Sequence, residues 1–156
     1  MAETIPLKDV VEAVTDLLDE TFEHHHGIFL DKGTSLFDTI DGLSAAEASR
    51  SVSGESGTIA AHVDHLRFYM DVLEDYMTGK PGGKVDWRHI WETTRAVTPE
   101  QWDAIRGRLR ESYRRVRTRV EDPKAWADKK QLGAVAIVMH TSYHLGAIRQ
   151  ALHAKW

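Results

Sequence analysis

Apolar residues recur at three- and four-residue spacing along most of the chain, and strand-like alternation of useful length is absent. That period gathers them on one face of a helix. Val10, Val11, Val14, Leu17, Leu18 and Phe22 predict a first helix from Leu7 to about Glu23, ended by Gly27 after the His24-His25-His26 run. A second segment, Ile28 to Gly42, carries Leu30, Leu36, Phe37 and Ile40, with Gly33 interrupting its early part. Ser44 and Glu47 have the spacing of a capping box and predict a short turn of helix. Residues 49–57 are rich in Ser and Gly and read as a loop.

Ile59, Val63, Leu66, Met70 and Leu73 predict a helix from Thr58 to Met77, closed by the breaker cluster at residues 78–83. Residues 84–97 hold Trp87, Ile90, Trp91 and Val97 without a clear period, which predicts a crossover with a short helical turn. Thr98, Pro99 and Gln101 suit the cap, first position and capping-box position of the next helix. Its stripe is Trp102, Ile105, Leu109, Val116 and Val120, and Asp122-Pro123 stops it. The last helix is predicted from about Lys130 to Ala154. It is apolar on most faces between Leu132 and Ile148, which predicts a central position. The expected fold is all-α: a four-helix bundle with an added N-terminal helical segment, as one domain over residues 1–156.

Composition narrows the chemistry. With no cysteine, disulfides, thiolate metal sites and a cysteine nucleophile are excluded. A net charge of −4 argues against a dedicated nucleic-acid binder. The longest apolar run, Ala134 to Met139, is too short to span a bilayer, and the first residues lack the pattern of a signal peptide. No membrane association and a soluble cytoplasmic location are expected.

Nine histidines remain to be explained. His140 and His144 are four apart in the most apolar helix, so their imidazoles share one face, one turn apart. A polar ring placed in a core needs a partner, and one metal ion can serve two. A pair at this spacing also arises on surface helices, and a carbonyl or carboxylate satisfies most buried histidines. The 58–77 helix adds His62 and His65, either of which can supply a third imidazole from a facing helix. Three nitrogens with an open fourth position make a catalytic rather than a closed structural type of site.

Thr58, Ile59, His65 and Leu66, with Phe68-Tyr69, followed much later by His140, His144 and Gly146, resemble the motifs of the DinB-like superfamily. The resemblance covers most of residues 28–156. It implies a four-helix bundle holding a divalent metal, zinc or nickel, on three histidines, and it selects His65 over His62 beside His140 and His144. It further implies activation of water or of a low-molecular-weight thiol, as a hydrolase or a thiol S-transferase, on an unknown small-molecule substrate, and a homodimer. The chain departs from the family pattern at Ala61, where many members carry an acid, and at Ala147, where many carry glutamine. A non-catalytic dimeric binding module is the alternative.

Other features have plainer readings. His24-His25-His26 can be a second metal patch or simply polar residues at a helix end. The seven arginines between Arg106 and Arg119 read as a solvated face before an anion site. Arg67 and Arg149 read as surface ion pairs, although either can reach a substrate carboxylate. Tyr69 and Tyr143 are candidates for a hydroxyl beside the metal, with core or interface packing favoured for Tyr143. The tryptophans at 87, 91, 102, 126 and 156 are expected to cover the bundle.

Overall fold

The computed structural model describes residues 4–54, 57–80 and 82–153. Trp156 and the predicted helix end at Ala154 lie outside these residues, as do Glu55 and Ser56 of the first loop and Pro81 of the breaker cluster. The described chain is all-α. Its helices are α1 (Leu7–Phe22), α2 (Leu36–Asp41), α3 (Ala45–Ala48), α4 (Ile59–Met77), α5 (His89–Thr93), α6 (Pro99–Val120) and α7 (Gly133–His153). The four long helices pack together, α1 and α4 each lying against both α6 and α7. No described helix is long and apolar enough to cross a membrane.

Local chemistry sets the helix starts. Ser44 accepts from the Glu47 amide while the Glu47 carboxylate takes the Ser44 amide, and Thr98 and Gln101 form the same reciprocal pair ahead of Pro99. Each satisfies two amides that the first turn leaves open. Thr58 caps α4 through the Ala61 amide and donates its hydroxyl to Arg95 O at 2.9 Å. That second bond, with Thr94 Oγ1 to Asp64 Oδ2 at 3.1 Å, ties the 84–97 crossover along α4.

The second predicted segment is helical only over Leu36–Asp41. The cause is a tertiary contact. Glu20, fully buried at the end of α1, accepts from the backbone amides of Gly27, Ile28, Phe29 and Leu30. Those amides are therefore unavailable to a helical ladder. Gly33 then turns the chain in the left-handed region at φ +76°.

The last α-helix starts at Gly133, after the 3₁₀ turns Pro123–Ala127 and Lys129–Leu132. A side chain at Gly133 would meet Met77 Cγ at 2.9 Å, so the close approach of α7 to the end of α4 requires glycine. The predicted central position is not what is found: Met139 and Tyr143 are 69% and 74% exposed, and one apolar face of α7 points outward. That helix packs on α1 and α4 only with its opposite face, through Ile137, Leu145 and Ile148.

Trp102 is buried and donates to Leu43 O at 2.9 Å, and Phe22, Phe37 and Tyr113 form an aromatic cluster around a 4.7 Å stack of Phe22 on Tyr113. The arginines of α6 are largely consumed within the fold. Arg106 bonds Asp103, Arg110 bonds Asp41, Arg115 bonds Asp71 and Glu74, and Arg117 bonds Asp19, Glu23 and Glu121. That helix carries its arginines on a partly exposed face, where ion pairs within the fold engage most of them.

Candidate metal centre

Residues 59–66 of α4 are all buried, so both histidines of this turn enter the interior. His65 faces α7, where His140 and His144 lie one turn apart. One nitrogen from each of His65, His140 and His144 falls within 4.8 Å of the others. His65 and His144 are 7% and 5% exposed, and His140 is half-buried. The three histidines singled out by sequence thus come together, and the site is nearest solvent on the His140 side.

The geometry suits a shared ion. His65 Nε2 and His140 Nε2 face each other at 3.0 Å. Two nitrogens at tetrahedral positions about 2.0–2.1 Å from zinc would stand roughly 3.3 Å apart. Burial, and after it the neighbouring imidazoles His140 and His62, pull His65 down to about 4. Burial, then His62, His140 and His65, pull His144 to about 3, and burial also lowers His140. Near neutral pH the rings are therefore uncharged, the state in which imidazole ligates a metal. His65 Nδ1 is buried without a hydrogen-bond partner, so the cluster is not closed by its own hydrogen bonds.

Aromatic rings wall the histidines. Tyr69 stacks on His140 at 3.9 Å, and burial raises its hydroxyl pKa, so it stays protonated as a donor. Trp91 lies 4.8 Å from His65, 5.0 Å from His62 and 6.2 Å from His144. Trp87 sits near His65, Phe68 and Tyr69 at 6.4, 5.7 and 6.0 Å. These tryptophans line the candidate site itself, whereas Trp102 and Trp126 pack elsewhere. Trp91 owes its position to Gly57, whose φ is +90° and whose added Cβ would strike the indole at 2.9 Å. Behind Trp91 lies a cavity of about 400 Å³ lined by Ser51, Gly54, Gly57, Thr58, Thr94 and Arg95, with none of the histidines in its wall.

Sequence reasoning had no signal for Trp91 or Gly57, which meet across the α4 to α5 connection. Tyr143, read as a core or interface residue, lies outside the core and stands exposed beside His144 at 5.2 Å. Ala61 is fully buried and Ala147 half-buried, so neither position offers a proton-transfer group. Arg67 pairs with Asp64 and Asp71 at 3.0 and 2.9 Å, and Arg149 reaches Thr39 at 3.4 Å.

The His24-His25-His26 run does something else. His24 and His26 donate to the buried Asp19 at 3.2 and 2.7 Å, while His25 is exposed. Asp19, Glu23 and His24 lie close enough for an ion. However, Arg117 Nη1 already sits 2.8 Å from Asp19 and 3.1 Å from Glu23. A guanidinium on both carboxylates fills their charge and repels a second cation. This cluster is an ion-paired staple between α1 and α6.

Comparison of the chain with protein-family models, with curated proteins and with solved structures returns no match.

Proposed function

We propose that the chain is a cytoplasmic, homodimeric metal-dependent enzyme of DinB-like type, a four-helix bundle in which His65, His140 and His144 hold zinc or nickel. The observation that carries this reading is the convergence of three uncharged imidazoles from α4 and α7, a group to which no fourth ligand is added among the described residues. An ion so held lowers the pKa of a bound water or thiol and polarises a carbonyl, which suits hydrolysis or transfer of a low-molecular-weight thiol to a small electrophile. The chain's own residues would do the rest. Tyr69, protonated and stacked on His140, can donate a hydrogen bond at the mouth of the site. Trp87 and Trp91 keep water from the histidines on the α5 side.

A non-catalytic binding module is the second reading, favoured by the alanines at 61 and 147 and by the exposed Met139 and Tyr143 on α7. Elemental analysis of protein purified without added metal, beside His65→Ala and His140→Ala, tests the site. Full occupancy in both variants overturns the ligand assignment. Metal-dependent conjugation of bacillithiol, mycothiol or glutathione to a panel of electrophiles supports the transferase. Absence of both conjugation and hydrolysis favours the binding module.

A further inference from the structure

His62 lies outside the triad but touches it. Its Nδ1 stands 2.8 Å from Nδ1 of His144, and both residues are buried. From the other side the indole of Trp91 meets the His62 ring nearly edge-on, at 79° and 5.0 Å. The ring is therefore held with Nδ1 aimed at His144. At 2.8 Å one nitrogen must donate and the other accept.

The direction of that bond decides what His144 can do. A neutral imidazole has one N–H and one lone pair. If His62 donates, the Nδ1 lone pair of His144 is used and its proton sits on Nε2, which leaves no lone pair for an ion. If His62 accepts, the proton of His144 sits on Nδ1 and the Nε2 lone pair is free. Metal-ligating histidines almost always donate their other N–H to a fixed acceptor. The other two rings are held differently: His140 by its stack on Tyr69, while His65 Nδ1 has no hydrogen-bond partner.

We infer that His62 is a positioning residue that accepts Nδ1–H of His144 and so presents the Nε2 of His144 to the metal. The inference rests on the metal reading of the triad and adds a role for a histidine that spacing alone could not separate from a ligand. His62→Leu removes the acceptor, whereas His62→Asn places a carboxamide oxygen where Nδ1 stood. Competition of zinc against a chromophoric chelator, on the full chain, should show His62→Leu weakened about 10- to 100-fold and His62→Asn close to wild type. Nitrogen-15 histidine spectra of the zinc-loaded wild type should show His144 protonated at Nδ1 and both nitrogens of His62 free of metal.

Wild-type zinc affinity in His62→Leu, with His65→Ala deficient, overturns the positioning role and leaves the triad standing. Equal weakening in His62→Leu and His62→Asn, or a metal-shifted His62 nitrogen, also overturns it. If the wild type itself takes neither zinc nor nickel, the metal reading falls and this role with it.

Discussion

Acid should unfold the metal-free protein through its buried histidines, in a pH window that separates them from the carboxylates. The perturbation is a shift from about pH 7 to about pH 4.5 with chelator present. His65 is held at about 4 against an ordinary 6.5. At about 1.4 kcal/mol per unit, that ring alone corresponds to on the order of 3 kcal/mol. His144 is displaced further in the same direction, to about 3, but the rings repel once charged, so their protons enter in sequence.

The sign follows from proton binding. Between the two pKa values the unfolded chain holds the proton and the folded chain does not, so stability rises with pH there. The contribution is whole above about 6.5, is lost as pH falls toward 4, and levels off below the folded values. Asp19 and Glu20 are also lowered, from 3.8 and 4.5, but their loss begins only near those values. His26 is raised by its bond to Asp19, so its contribution is present below 6.5 and fades above it. The interval from about 6.5 to 4.5 therefore belongs to the buried histidines.

Urea denaturation followed by circular dichroism, at half-unit pH steps, should give a slope equivalent to one to two protons in that interval. A His65→Gln/His144→Gln double variant should be nearly flat. Flat stability in the wild type, or an unchanged slope in the double variant, would refute the buried, uncharged cluster.

Zinc at about 100-fold over its Kd should stabilise the protein by about 2.7 kcal/mol, which for a chain of this size raises Tm by roughly 5–10 °C. His65→Ala and His140→Ala should abolish that shift in differential scanning fluorimetry. Glu20→Gln should cost on the order of 2–3 kcal/mol, because a carboxamide turns an N–H₂ toward amides that need an acceptor. Hydrogen exchange should show the amides of residues 27–30 losing protection first. Gly57→Ala should destabilise by about 1–3 kcal/mol through its positive φ and displace the Trp91 indole, read as a change in tryptophan emission.

What was legible in the sequence was what the chain settles locally. The capping boxes at Ser44 and Thr98 need only residues three apart, and both formed as read. The pairing of His140 with His144 follows from one helical turn. The segment from Ile28 to Thr34 misled because its amides are taken by Glu20, eight or more residues away for all but Gly27, and no periodicity records such a bond. Outward exposure of Met139 and Tyr143 was equally hidden, since an apolar helix reads the same whether its second face meets another helix or not. His62 and His65 both point inward, so spacing could not rank them. Their difference lies in which α7 nitrogen each one meets.

Ala61 and the aromatic wall beside His65 lie together in one part of the fold. Ala61 and His65 are four apart and share a face of α4, and Gly57 lies just before the Thr58 cap. Trp91 touches both Gly57 and His65, and Ala61 Cβ lies 3.6 Å from where a Gly57 side chain would begin. A longer side chain at 61 would have to share that space with the indole. Thr58 and Asp64, bonded to Arg95 and Thr94, hold the crossover that carries the indole. On the α4 side the groups that meet the three histidines are thus the Trp91 indole and the imidazole of His62, 2.8 Å from His144.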